Sequence, residues 1–188
     1  LIVRDMDSSI ILRLLDNHQP ADAHEARMLE DIKAFVRRYN NFHSRQQLAG
    51  HLTGSAWVVS EDRTHALLTY HGKLDLWVQL GGHVEDDADM LSAAWREACE
   101  ESGLADVQPL SDQIFDVDVH AIPANAKEPA HFHYDIRFLF AADRTVPLVV
   151  SSESKDLAWV ELEKIAELTA EESVLRMVRK TLNQYRDR

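Results

Sequence analysis

The sequence predicts an α/β fold in which a mixed β-sheet packs between helices, with a small helical segment in front of it. Apolar residues recur at helical spacing near both ends of the chain, and strand-like runs fill the middle. One amphipathic helix interrupts those runs, as in folds that cover a sheet with helices. With 188 residues and 45% hydrophobic content, the chain is long enough for one well-buried core and a small appendage.

The composition limits the class of partner. The 32 acidic and 20 basic residues give a formal net charge of −12, which disfavours a nucleic-acid polymer because its phosphates require Lys and Arg. Charged residues interrupt the apolar run at the start of the chain, so we expect no signal peptide and no membrane partner. Cys99 is the single cysteine and cannot form an internal disulfide, which indicates a cytoplasmic protein.

The first 48 residues are predicted to form a helical accessory segment. One helix covers residues 8–16 with Ser8 or Ser9 as its N-cap, and a second covers about residues 22–39. Their apolar stripes are typical of helices that pack against a main domain or a dimer mate, so a homodimer is an open alternative. Residues 40–50 are rich in Asn, Gln and Ser and form the predicted linker, and the main domain is assigned to residues 49–188.

The main domain is predicted to open with a hairpin. Residues 52–60 and 66–70 are strand-like and are separated by a polar turn. A third strand at residues 76–80 leads into Gly81 and Gly82, which we expect to form a tight turn.

One helix follows the glycines and ends before Gly103, with Asp87 or Asp89 as its N-cap. Glu97, Glu100 and Glu101 lie within about one turn of its polar face, where like charges repel unless a cation neutralises them. Carboxylate oxygens suit Mg²⁺, with Mn²⁺ as an alternative, and such ions share their coordination shell with substrate phosphates. The competing interpretation is a solvated acidic helix face.

This stretch resembles the Nudix box, the signature of the Nudix hydrolase family. The box residues that match in register are Gly82, Arg96, Glu97, Glu100, Glu101, Gly103 and Leu104. Ala98 replaces a larger aliphatic residue, and Ala88 stands at the first glutamate of the box, whose role could pass to Glu85, Asp87 or Asp89. The resemblance implies a Nudix-type α/β/α sandwich and Mg²⁺-dependent hydrolysis of a nucleoside diphosphate linked to another group.

The resemblance also implies roles for individual residues. Glu97, Glu100, Glu101 and the carbonyl of Gly81 would hold Mg²⁺, and Arg96 would orient the glutamates. One of Glu100, Glu101 and Glu153 would be the general base. Glu153 stands six residues before Trp159, where many family members place a late glutamate.

After the helix, residues 113–122 and 131–141 are predicted to form two paired strands. If Ile122 pairs with His131, alternation places a set of polar side chains on one face. The facing pairs are then His120 with His133, Asp118 with Asp135, and Asp116 with Arg137.

This polar face has two interpretations. In the first it forms a wall of the active site, with His120, His133 and Asp135 as substrate contacts together with His83, which follows the glycines. In the second it is a solvated sheet face with an ordinary Asp116–Arg137 ion pair. A zinc site built from His120, His131 and His133 is not favoured, because nothing else has structural-zinc spacing.

The end of the chain is predicted to add strands at residues 148–150 and 157–160 and two closing helices. Phe132 and Tyr134 are assigned to core packing. Two other functions stay open. One is a nucleotide-binding or regulatory module, which would explain Ala88. The other is a diphosphate isomerase, which would need a catalytic cysteine on a strand, whereas Cys99 lies in the predicted helix.

Overall fold

The computed structural model describes residues 6–72, 75–124, 128–151 and 154–185. The helices are α1 (Ser8–Asn17), α2 (Ala23–Arg38), α3 (Met90–Ser102), α4 (Ile165–Leu168, after a 3₁₀ turn at Leu162–Lys164) and α5 (Glu172–Tyr185). The strands are β1 (Gly50–Ser60), β2 (His65–His71), β3 (Leu76–Val78), β4 (Leu80–His83), β5 (Gln108–Pro109), β6 (Asp116–Ile122), β7 (His131–Ala142) and β8 (Ser154–Glu161).

The strands form one mixed sheet with β1 near its centre. β1 pairs in parallel with β7 and antiparallel with β2 and β4. The main path runs β3-β2-β1-β7-β5, while β6 pairs with β7 and β8 pairs with β2. The parallel β1–β7 pair joins segments far apart in the chain, and it aligns His51 with His133.

Helices cover both faces of this sheet. Alternation along β1 sends Leu52, Ala56 and Val58 into a core shared with α1, α2 and α3. Trp57 and Val59 point to the other face, into a core closed by α4 and α5. The arrangement confirms the predicted α/β/α sandwich with a mixed sheet.

The N-terminal helices pack on the sheet and share its core. The ring of Phe35 on α2 stacks on Tyr134 of β7, with 4.1 Å between the ring centroids. The N-cap of α1 is Asp7, whose carboxylate accepts a hydrogen bond from the Ser9 amide at 2.8 Å. The predicted caps Ser8 and Ser9 are therefore wrong: both residues already lie in the first turn.

Three local predictions differ from the structure. Gly81 and Gly82 lie within β4, paired with Ser55 and Gly54 of β1, instead of forming a tight turn. Residues 148–150 form no strand, because the backbone there runs past the end of α3 and the Val149 amide donates to the Ser102 carbonyl at 2.8 Å. Phe132, at the start of β7, is 46% exposed and lies outside the core.

The predicted register between β6 and β7 is confirmed, but the acidic residues of the polar face and Arg137 are buried. Asp116 is 0% exposed and accepts hydrogen bonds from Arg137 at 3.2 Å, from Arg176 at 2.8 Å and from Lys180 at 2.7 Å. Arg176 and Lys180 belong to α5. The Asp116–Arg137 pair is thus part of an internal ion network and not of a solvated face.

Asp118 lies at the margin of this network, and its ionisation is expected to make the free energy of unfolding depend on pH. Burial alone would raise the pKa of Asp118, but the hydrogen bond with His120 and the charges of Arg137 and Arg176 lower it to about 2. A carboxyl with a depressed pKa stabilises the fold above its unfolded pKa of about 3.8, and this stabilisation is lost as pH falls towards 2.

We expect the free energy of unfolding, measured with urea at pH 5 and at pH 3, to fall less for Asp118→Asn than for the unmodified chain. An equal fall in the two proteins would show that the Asp118 carboxylate does not contribute to this pH dependence.

Candidate active site on α3 and β4

α3 lies directly against β1 because small residues line the contact. A Cβ added at Gly54 would come within 3.1 Å of the Ala94 amide nitrogen, so the helix backbone rests on the strand. Ala94 and Ala98 are both fully buried, and a helix packed this closely leaves little room for the larger aliphatic residue that the box has in place of Ala98. Asp89 caps the start of the helix through the Ser92 amide at 2.7 Å.

The glycines of β4 receive two of the three glutamates. A Cβ at Gly82 would lie 2.5 Å from Cδ of Glu97, so only glycine admits this carboxylate. The amide of Gly81 donates to Oε2 of Glu101 at 2.9 Å. Burial raises the pKa of Glu97, and Arg96 only partly offsets this. The carboxylates thus lie at the junction of helix and strand.

Arg96 ties this junction together. Its guanidinium donates to Oε1 of Glu97 at 3.0 Å and to Oε2 of Glu100 at 3.1 Å. It also donates to both carboxylate oxygens of Asp87 and to the His83 carbonyl at 2.9 Å. Arg96 therefore fixes the segment between β4 and α3 relative to the glutamates.

The structure narrows which acidic residue could replace the missing first glutamate at Ala88. Asp89 is the helix cap, and Asp87 is held by both of its oxygens on Arg96. Glu85 is exposed, and its charge helps to raise the pKa of Glu97 after the larger effect of burial. Glu85 is therefore the remaining candidate for the role of the missing glutamate.

The structure does not describe one predicted site residue and buries another. Glu153 lies outside the described residues. Asp135 is 1% exposed, and its carboxylate accepts hydrogen bonds from Thr53 at 2.9 Å, Ser55 at 2.8 Å and Arg137 at 2.7 Å. This burial does not fit a direct substrate contact, and Asp135 instead joins β1 to β7.

The predicted histidines converge at one place beside β4. The ring centroids of His83 and His133 lie 5.1 Å apart, and those of His120 and His133 lie 5.4 Å apart. Two further members are His51, with its ring centroid 4.8 Å from that of His133, and His131 at 5.1 Å. We call these five residues the histidine cluster.

His51 was not identified from the sequence. It stands 82 positions before His133 in the chain, and only the parallel pairing of β1 with β7 brings the two together. One signal in the sequence could have identified His51. It shares one face of β1 with the polar residues Thr53 and Ser55, and the matching face of β7 carries His133 and Asp135.

The two glycines of β4 offer a matched pair of variants. Gly81 has a φ of +154°, and its added Cβ would lie 2.7 Å from the Cα of Ser55, so Gly81→Ala is expected to destabilise the fold by about 2 kcal/mol or more. Gly82→Ala meets only the end of a side chain, Glu97, and is expected to move that carboxylate with a smaller loss of stability.

Urea unfolding of both variants measures the difference. Equal destabilisation would contradict the distinction between a backbone clash at Gly81 and a side-chain contact at Gly82.

Comparison with known proteins places this geometry in context. The sequence model of the NUDIX domain matches residues 51–180. No curated protein matches. Within the described residues, no helix is both long and apolar enough to cross a membrane.

Several solved structures share the fold at low sequence identity. The C. elegans Ap4A hydrolase binary complex has a TM-score of 0.54 and 19% identity, over 71% of this chain and 96% of that one. The E. coli dihydroneopterin triphosphate pyrophosphohydrolase has a TM-score of 0.54 and 16% identity, over 70% and 95%. The NUDIX domain of Shewanella oneidensis NrtR complexed with ADP ribose has a TM-score of 0.52 and 14% identity, over 80% and 96%.

Proposed function

Because the chain belongs to the NUDIX domain family, we propose that it is a Mg²⁺-dependent pyrophosphohydrolase acting on a nucleoside diphosphate linked to another group. The observation that carries the proposal is the junction of α3 and β4, where Glu97 and Glu101 contact consecutive glycines and Arg96 holds Glu97 and Glu100. Water is the nucleophile, and the pyrophosphate bond is the bond that breaks.

The donor set fits a hard divalent cation. Glu97, Glu100, Glu101 and the Gly81 carbonyl offer oxygen ligands only, which suits Mg²⁺ and also Mn²⁺. The missing side chain at Gly82 leaves the space that the Glu97 carboxylate occupies. When bound, the metal neutralises charge on the diphosphate and lowers the pKa of the attacking water.

The side chains of the chain have separate tasks in this mechanism. Arg96 orients Glu97 and Glu100 and does not contact the substrate. One of Glu100, Glu101 and Glu153 accepts the proton of the attacking water. The Gly81 amide holds Glu101 in place through its 2.9 Å hydrogen bond, which aligns the carboxylate before substrate arrives.

The histidine cluster supplies the proposed substrate contacts, through His83, His120 and His133. Burial, followed by the charge of Arg45, lowers the pKa of His83 to about 4. Burial, followed by repulsion between protonated rings of the histidine cluster, lowers the pKa of His133 to about 2. Both rings are therefore neutral near pH 7 and interact with a nucleotide as hydrogen-bonding groups rather than as cations. Asp135 acts as a positioning residue for these histidines, because its hydrogen bonds hold β1 and β7 together.

A panel of nucleoside diphosphate sugars, dinucleoside polyphosphates, ADP-ribose and nucleoside triphosphates tests the proposal. Each compound is incubated with the purified protein and Mg²⁺, and products are separated and identified. We expect cleavage at a phosphoanhydride bond of at least one compound. We place the protein in the cytoplasm, where such nucleotides are available and its single thiol stays reduced.

A second candidate is a module that binds a nucleotide without turning it over. Ala88 favours it, because no carboxylate stands at the first glutamate of the box. Measurable nucleotide binding together with no cleavage of any compound in the panel would support this second function over the first.

A further inference from the structure

We propose that His51, His131 and His133 form a binding site for a divalent transition-metal ion of the Zn²⁺ type, separate from the carboxylates of α3. One ring nitrogen from each residue lies within 4.8 Å of the others. The site goes beyond the proposed hydrolysis. It shares His133 with the proposed substrate contacts, but its three ligands would bind a metal ion whether or not the chain hydrolyses a nucleotide. It exists because β1 and β7 run in parallel and align His51 with His133, while His131 precedes His133 on the same face.

His131 is oriented as a metal ligand. Its Nδ1 lies 2.8 Å from the carbonyl oxygen of Pro129, and since a carbonyl only accepts, Nδ1 carries the hydrogen and Nε2 presents its lone pair towards His133. Ligand histidines are commonly fixed by such a bond from the other ring nitrogen. Nε2 of His131 lies 3.2 Å from Nε2 of His133. Two nitrogens bound tetrahedrally to Zn²⁺ at its usual bond length are about 3.3 Å apart.

His51 is a buried histidine with unsatisfied ring nitrogens. Its side chain is buried, with the residue 2% exposed, and neither ring nitrogen has a hydrogen-bond partner among the described residues. An unsatisfied buried polar group destabilises the fold, and a metal ion bound to one of these nitrogens would provide the partner. The ring centroid of His51 lies 5.0 Å from that of His131 and 4.8 Å from that of His133, so a buried imidazole without a partner faces the two convergent nitrogens.

The ligand chemistry separates this site from the carboxylates. Neutral imidazole binds Zn²⁺, Co²⁺, Ni²⁺ and Cu²⁺, whereas Mg²⁺ prefers oxygen. Imidazole binds metal ions in its neutral form. Three protein ligands leave a fourth position for water or for an oxygen of a bound molecule.

Spectroscopy and calorimetry on the full chain test the site without substrate. Metal-free protein is titrated with Co²⁺ while visible absorption is recorded, and with Zn²⁺ in a calorimeter with millimolar Mg²⁺ present. We expect one equivalent of each ion to bind, with a tetrahedral Co²⁺ spectrum. His131→Asn and His51→Gln are each expected to weaken binding by at least about 100-fold. The absence of stoichiometric binding, or unchanged affinity in both variants, would overturn the proposal.

Two control variants identify the ligands. His24→Ala removes an exposed histidine of α2 and is expected to bind Co²⁺ normally. Glu100→Gln is expected to keep the Co²⁺ spectrum even where hydrolysis is lost, so failure of the hydrolase proposal leaves this one standing. Loss of the spectrum in Glu100→Gln would place the ion on α3 and overturn the site.

X-ray absorption of the Zn²⁺-loaded unmodified chain tests the ligands without a variant. Imidazole scattering is expected, and a shell of oxygens alone would contradict the proposal.

Discussion

Replacing Glu100 with Gln is expected to lower kcat by about 100-fold, which corresponds to about 2.7 kcal/mol of transition-state stabilisation. The amide keeps the size of the side chain but removes a negative oxygen donor from the proposed Mg²⁺ site. The Glu100 side chain is 62% exposed and forms an ion pair with Arg96. We therefore expect the thermal midpoint to change by no more than about 2 °C.

Glu163→Gln is the matched control, because it makes the same change at an exposed glutamate on the 3₁₀ turn before α4. Steady-state kinetics on the best compound of the substrate panel, with circular dichroism to follow unfolding, compare the two variants. Near-normal turnover in Glu100→Gln would remove this carboxylate from the mechanism.

Replacing Asp116 with Ala is expected to destabilise the fold by about 3–5 kcal/mol. Asp116 is the common acceptor for Arg137, Arg176 and Lys180, which come from β7 and α5. Its removal leaves Arg137 and Arg176 buried with fewer compensating charges, because both residues are at most 2% exposed. Breaking a buried network by removing one partner costs more than losing a surface pair.

Asp112→Ala is the control for this variant, since Asp112 is an exposed residue shortly before β6. Urea unfolding of both variants gives the free energies. A loss below about 1 kcal/mol in Asp116→Ala would contradict the structural importance of the network.

The sequence predicted most elements because their periodicities were clear. The β6–β7 register followed from pairing Ile122 with His131 across the loop, and the alternation of side chains then gave the facing pairs. The end of α3 followed from Gly103, and its start from Asp87 or Asp89, of which Asp89 is the cap. The glycine pair was harder, since glycine fits both a tight turn and a strand that must accept close contacts. Here the approach of Glu97 and Ser55 requires the glycines within a strand.

The environment of the polar strand face could not be predicted from alternation alone. Alternation shows that Asp116, Asp135 and Arg137 share a face, but not whether water or another element covers it. The covering residues Arg176 and Lys180 lie on a helix near the end of the chain, with no local signal linking them to β6. His51 is a similar case, because a parallel pairing between distant strands places it beside His133.

We propose that water cleaves a diphosphate at the carboxylates of α3 with the help of Mg²⁺. The most direct test is hydrolysis of the nucleotide panel in ¹⁸O-labelled water, with and without Mg²⁺, followed by mass spectrometry of the products. We predict one ¹⁸O atom in a single phosphate-containing product, formed only when Mg²⁺ is present. The proposal would be contradicted if the protein binds a nucleotide of the panel but leaves it intact and unlabelled after incubation with Mg²⁺.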